Sequence, residues 1–368
     1  MTKRTPIYQT IIDDITAQIS AGDFDYSQPI CTEKSICERY DTSRITAKHA
    51  IGKLEEKGFL YRKRGAGSFV VRQSTSPASS KIFALVTPFS IVQGGVFRAV
   101  EAASQLLTTQ GHQLTIHISV NTPLGNAELI DNLYNQDIAG IIYYPIGDTL
   151  PTEALNKFVK NNRPVIILDK ETNNPQFTNV ICDNYQGSQM LAEHLVSYGH
   201  VKTAYLSRFK LNELSSVKKR YNGYADFLKQ AHLEPHFVHW AFNFPNSFYL
   251  LQHIVNTFRV ENITAILCEN DEVAFNVYMC CQSLGLRVPE DMNITGFDNI
   301  EWATTGAAQI TTVDQNFNAI GKTIANVLMD DNNVPKSYTT PVRFIPRTST
   351  GIVQKQPSLS LQYAMMAE

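Results

Sequence analysis

SRITAKHAIGKLEEKGFLYRKRGAGSFVV, residues 43–71, is the stretch that decides the N-terminal fold. Ser43 is a good N-cap, because a serine hydroxyl accepts a hydrogen bond from an otherwise unpaired amide in the first helical turn. Ala47, Ala50, Ile51 and Leu54 then fall on one apolar stripe of a helix, while Arg44 and Lys48, four residues apart, share another face. Gly58 stands where a helix stops. Residues 59–62 and 68–71 read as two short strands around Gly65-Ala66-Gly67, and Arg62, Lys63 and Arg64 load this hairpin with positive charge.

Upstream, Pro6 suits a first helical turn, and Ile7, Ile11, Ile15 and Ile19 recur every fourth residue on one side of a helix that ends near Gly22. Thr32 caps a short helix over residues 33–40, and Asp41-Thr42 turns the chain into the helix that begins after Ser43. Helix, tight turn and second helix form the helix-turn-helix arrangement, in which the second helix enters the DNA major groove. The hairpin adds a wing. Charge agrees with this reading: the whole chain is at -2, yet residues 1–72 hold 12 Lys and Arg against 9 Asp and Glu, and the remainder holds 20 against 25.

These residues resemble the N-terminal domain of the GntR family of bacterial repressors. Ser43, Arg44, Thr46, Ala50, Leu54, Gly58, Gly65, Gly67 and Val70 match its pattern over about the first seventy residues. The resemblance implies DNA contact by Glu33, Ser43, Arg44, Thr46, Lys48, Arg62, Lys63, Arg64, Gly65 and Gly67. Lys48 departs from the family's usual arginine; lysine lacks the planar fork that reads guanine with two parallel hydrogen bonds, so base contact there is expected to be retuned. Residues 29–33, PICTE, are also more apolar than the family's approach to this cap.

The chain has 368 residues and suits a small module followed by a larger one. Residues 73–81, QSTSPASSK, read as the linker between them. Beyond it, short apolar runs at 82–87, 113–119, 140–144 and 164–169 alternate with helical stretches at 96–110, 127–136 and 155–161, and the rhythm repeats from 179 to 310. That alternation signals βαβ units and a parallel sheet. In such sheets, ligands sit beyond the carboxyl ends of the strands. Asp169, Asn270, Asp271 and Asp298 follow apolar runs there, and Arg220 starts a helix. Carboxylate, amide and guanidinium each engage vicinal hydroxyls through paired hydrogen bonds, which is what a sugar offers.

Residues 82–346 resemble the effector domain of the LacI family, through Asp183-Asn184 with Gly187, Arg220 with Gly223-Tyr224, AILCENDEVAF at 265–275 and LRVPEDMNITGFDN at 286–299. The expected fold is α/β: an N-terminal winged helix-turn-helix followed by a two-lobed periplasmic-binding-protein-like (type I) α/β domain. The expected boundaries are 1–72, 73–81, 82–356 and a tail at 357–368, with lobe crossovers near 183, 312 and 338. The resemblance implies sugar contact by Arg220, Asn270 and Asp298, with Asp169, Ser216 and Tyr143 as further carry-overs. Trp240, Phe89 and Phe97 are candidates for stacking on a sugar ring. The loop 207–219 is expected to tune the ligand; its Lys210, Glu213, Lys218 and Lys219 leave a sugar acid or sugar phosphate open.

Taken together, these readings predict a DNA-binding repressor released by a small sugar, with L-arabinose as the first candidate. A homodimer on a palindromic operator, a cytoplasmic location, no membrane contact, no cofactor, no metal and no enzymatic activity are further expectations. The six cysteines show no Cys-x-x-Cys spacing and read as small buried hydrophobes. No apolar run approaches the roughly 18 residues of a membrane span. His236 and His239 lack a third ligand at helpful spacing. The rival from another class is a GntR-type regulator carrying an aminotransferase-like pyridoxal-phosphate domain, which needs more chain than remains after Lys81 and a lysine in a cofactor setting. A transport binding protein shares the sensor fold but lacks a DNA-reading head.

Overall fold

A computed structural model describes residues 6–21, 28–63, 66–70, 80–88, 94–119, 122–145, 147, 149–241, 246–332 and 334–353. Arg64, Gly65, Phe89, most of the linker and the C-terminal tail lie outside these residues. The chain divides into two units, residues 1–79 and 80–368.

The first unit contains α1 (Ile7–Ala21), α2 (Glu33–Tyr40), α3 (Arg44–Glu56), β1 (Leu60–Lys63) and β2 (Gly67–Val70). Both cap signals operate. Thr32 Oγ1 accepts from Ser35 N at 3.0 Å while Thr32 N donates to Ser35 Oγ at 2.9 Å, which satisfies two end groups reciprocally. Ser43 Oγ accepts from Thr46 N at 3.3 Å. Asp41 at φ 44° ends α2 in the left-handed region and turns the chain sharply toward α3.

Ala47, Ala50, Ile51 and Leu54 are buried with Ile11, Ile12 and Ile15 of α1 and Ile36 of α2. Ile7 is 46% exposed. A four-residue repeat drifts by about 40° per step around a helix of 3.6 residues per turn, so the end of the row leaves the core and Ile12 enters it. In the wing, β1 and β2 pair antiparallel from Leu60↔Val70 to Lys63↔Gly67, and Ile30 and Cys31 add a third edge through Ile30 N to Ser68 O at 2.9 Å and Ser68 N to Cys31 O at 2.9 Å.

The second unit begins with β3 (Ile82–Thr87), α4 (Gly94–Thr109), β4 (Gln113–Ile118), α5 (Pro123–Asn135), β5 (Gly140–Tyr143), α6 (Thr152–Lys160), β6 (Val165–Leu168) and β7 (Thr178–Cys182). There follow α7 (Asn184–Ser197), β8 (Thr203–Ser207), α8 (Ser215–Gln230), β9 (Phe237–His239), α9 (Ser247–Val260), β10 (Ala265–Cys268), α10 (Asp271–Ser283) and β11 (Asn293–Thr295). Last come β12 (Thr312–Asp314), α11 (Phe317–Met329), β13 (Ser337–Thr340) and β14 (Arg343–Ile345).

Two parallel sheets make two lobes, one in the order β13-β7-β6-β5-β3-β4 and one in the order β11-β10-β8-β9. The chain passes between them after β7, after β12 and after β13, and β12 pairs with β14 as an antiparallel ribbon at the passage. Central strands β5, β6, β8 and β10 are buried along their whole length, as a sheet covered by helices on both faces requires. Among the described residues, no helix is long and apolar enough to cross a membrane.

Candidate functional site

In the first unit, α3 buries one face and leaves Arg44, Ile45, Lys48 and His49 outside, with Ile45 82% exposed. Arg44, Lys48 and Lys63 enter no ion pair among the described residues. Thr46 is half-buried beside the Ser43 cap. Arg62 differs from its neighbours: its guanidinium binds Glu55 of α3 at 3.1 Å and Glu33 of α2 at 3.4 Å. Arg62 and Glu33 therefore tie the wing to the helices, and both side chains remain partly exposed. Gly67 is also held by packing. At φ 107°, a Cβ there would meet Pro29 Cβ at 2.9 Å and Cys31 O at 3.1 Å.

In the second unit a cavity of about 590 Å³ is lined from both lobes. Strand geometry fills it: Tyr144, Asp169, Arg208 and Glu269 are the first residues after β5, β6, β8 and β10, and all four line it. Asp169 sits at φ 67° and Asp298 at φ 114°, left-handed conformations that cost energy for a residue with a side chain and recur at ligand sites.

Three charge clusters organise the walls. Arg220 reaches Asp298 Oδ1 at 3.3 Å, donates through Nε to Asn184 Oδ1 at 2.7 Å, donates through Nη1 to the Glu269 carbonyl at 2.5 Å, and lies over the Phe297 ring at 3.8 Å. Asp169 pairs with Lys170 and accepts from Tyr144 OH at 3.0 Å, and Lys170 donates to Ser216 Oγ at 3.0 Å. Arg208 binds Glu269 at 3.1 Å and Glu272 at 3.0 Å. Gln315 Nε2 completes the Asp298 corner, 2.5 Å from Oδ1.

Burial pushes the Asp298 carboxyl up to about 6 against the pull of Arg220. Burial acts upward on Asp169 too, but Lys170 and Arg220 together hold it below the usual carboxylate range. Beneath them, Asp271 accepts from Ile300 N at 2.9 Å and lies 2.5 Å from Thr312 Oγ1 of β12. Burial, helped by the charge of Asp298, raises Asp271 to about 8.

Of the residues expected in the sugar site, Asp169, Ser216, Arg220, Asn270 and Asp298 meet in this cavity. Asn270 also caps α10, its Oδ1 accepting from Val273 N at 2.9 Å. Three expected residues are elsewhere. Tyr143 is buried on the opposite face of β5, where its hydroxyl accepts from Asn126 Nδ2 at 3.1 Å, and Tyr144 takes the place expected of it. Trp240 is 1% exposed in the core of the second lobe, its Nε1 donating to Ser247 O at 2.9 Å; Trp302, tilted against the Phe275 ring at 5.2 Å, is the tryptophan that lines the cavity. Phe97 is exposed and lies off the lining.

Residues 7–70 match the model of bacterial regulatory proteins of the gntR family, and residues 192–350 match that of a periplasmic binding protein-like domain. The chain thus joins a gntR-type DNA-binding head to a sensor with the periplasmic-binding-protein fold of LacI-family regulators. It is similar to the arabinose metabolism transcriptional repressor of Geobacillus stearothermophilus, 25% identical over 89% of this chain and 91% of that one. The protein of the same name from Halalkalibacterium halodurans is 26% identical over 83% and 84%. A LacI family transcriptional regulator from Enterococcus faecium, solved with bound ribose, shares the fold with a TM-score of 0.63 at 23% identity, over 74% of this chain and 100% of the other. With this fold in the second unit, the aminotransferase-like alternative is not favoured.

Proposed function

We propose that the chain is a sugar-responsive transcriptional repressor that releases a palindromic operator when a small sugar, L-arabinose as first candidate, enters the cavity. The observation that carries this reading is the cavity itself, where Arg220-Asp298 and Asp169-Lys170 set paired donors and acceptors beside the Trp302 ring. Its volume of about 590 Å³ falls within the range of roughly 300–1,000 Å³ typical of small-molecule sites. A sugar hydroxyl both donates and accepts, so vicinal hydroxyls match an arginine beside a carboxylate. The arabinose repressors of similar sequence support the choice of sugar.

Closure of the lobes on the sugar changes the three passages between them, and coupling of about 1–3 kcal/mol is enough to shift operator affinity by roughly 5- to 150-fold. The active form is a cytoplasmic homodimer, each protomer placing α3 in one half-site about one helical turn from the other. Arg44 and Lys48 touch base edges and Lys63 and Arg64 touch phosphates. Thermal shift against pentoses, hexoses and disaccharides names the effector by its rise in melting temperature. In a gel-shift assay, Asp298→Ala keeps operator binding and loses release; a variant that still responds at the same sugar concentration sinks the site assignment.

A further inference from the structure

The cavity contains three cations and five carboxylates: Lys170, Arg208 and Arg220 against Asp169, Glu269, Glu272, Asp298 and Glu301. Each cation has a carboxylate partner, and Arg208 has two. The lysines that left an acidic ligand open are elsewhere. Lys219 binds Glu171 at 2.6 Å, and Lys210, Lys218 and Lys219 are absent from the lining. Residues 89–93 and 242–245, outside the described residues, contain no charged residue in sequence.

Arg208 is the cation placed to receive an anion, because it follows β8 directly and opens the loop 207–219. Its side chain is 18% exposed, and its guanidinium is held by Glu269, whose side chain is 3% exposed, and by Glu272, 41% exposed. Glu269 is itself anchored, accepting from Ser207 Oγ and from Arg208 N at 3.2 Å. Glu272 has no comparable anchor on the loop and sits in the first turn of α10, where a carboxylate is favoured by the helix dipole.

Resting on the sugar-sensor reading above, we propose that Glu269 and Glu272, by occupying Arg208, make this cavity reject sugar acids and sugar phosphates and accept uncharged sugars. An anion entering it displaces a carboxylate from Arg208 or stands beside unpaired carboxylates, and like charges at close quarters discriminate strongly. Even with Asp298 protonated, carboxylates outnumber cations. Glu272 is the specificity-determining residue, since its removal takes one of two carboxylates from Arg208 without touching the buried Glu269.

The test is calorimetric titration of the full-length protein with L-arabinose, L-arabinonate and L-arabinose 5-phosphate, in wild type, Glu272→Gln and Glu272→Gln/Arg208→Met, with unliganded melting curves as the folding control. Wild type is expected to bind the neutral sugar at least roughly tenfold more tightly than either anion. Glu272→Gln narrows that ratio severalfold, and the added Arg208→Met restores it. Equal binding of neutral and anionic forms by wild type, or a ratio unmoved by Glu272→Gln, overturns the proposal and leaves sugar sensing intact. If a wider panel of pentoses, hexoses and disaccharides, with their acids and phosphates, produces no binding at all, the sugar-sensor reading falls and this inference with it.

Discussion

The cations of the head and those of the cavity are treated in opposite ways. Arg44, Lys48 and Lys63 stand exposed with no ion pair among the described residues, whereas Lys170, Arg208 and Arg220 are each matched by a carboxylate. A surface that meets a polyanion gains by leaving charge unneutralised, since phosphate contact releases counterions. A cavity that meets an uncharged polyol cannot leave buried charge unmatched, because desolvation is repaid only by a close partner. Arg62 stands between the two cases, cationic and at the surface but tied to Glu33 and Glu55.

The hardest blow to this contrast is Arg220→Ala, which removes the guanidinium from Asn184 and leaves Asp298 with Gln315 but no cation. Loss of one member of a buried pair costs about 3–5 kcal/mol, so urea unfolding is expected to shift by that amount. A shift under about 1 kcal/mol, the worth of an exposed pair, would make Arg220 no different from a surface cation.

The carboxylates in and beneath the cavity give a pH signature of their own. Asp271, raised to about 8, and Asp298, raised to about 6, hold protons in the folded state that the unfolded chain has already released. Their contribution to stability is full below pH ~4 and is lost as pH rises through those values, so unfolding free energy falls from mildly acidic pH up to about pH 8 and levels off above it. Asp271→Asn is expected to flatten that fall. An unchanged slope would place the titration elsewhere.

Smaller effects sort the head's own cations. Arg44→Ala is expected to weaken operator binding by about 1–3 kcal/mol and to relax base choice, while Lys63→Ala lowers the salt slope by roughly one on any sequence. Equal loss on operator and random DNA would strip Arg44 of base reading. Arg62→Ala is expected to cost stability by less than about 1 kcal/mol, as partly exposed pairs do, and to leave the salt slope nearly unchanged. A slope change equal to that of Lys63→Ala would return Arg62 to the DNA.

The head was legible because its signals are local. Thr32 and Ser43 cap helices within three residues of themselves, and the buried stripe from Ala47 to Leu54 belongs to one helix. The order of strands and helices in the sensor was legible for the same reason, through short apolar runs between polar turns. The ion pairs of Arg62 were not legible, because its partners, Glu33 and Glu55, lie on two other elements.

Tyr143 was misread because β5 is buried on both faces, so no alternation of polar and apolar residues marks which side meets the cavity. A one-residue difference then selects the opposite face, which is how Tyr144 and not Tyr143 reaches Asp169. Trp240 and Trp302 are alike as letters; one donates to Ser247 O inside a lobe and the other lines the cavity. Capping, periodicity and charge along the chain therefore determined the two units and the kind of partner each meets. Only the tertiary structure decided which side chains share a space and which cations keep their charge available, because pairs tens of residues apart, such as Arg208–Glu269 and Arg220–Asp298, leave no trace in local spacing.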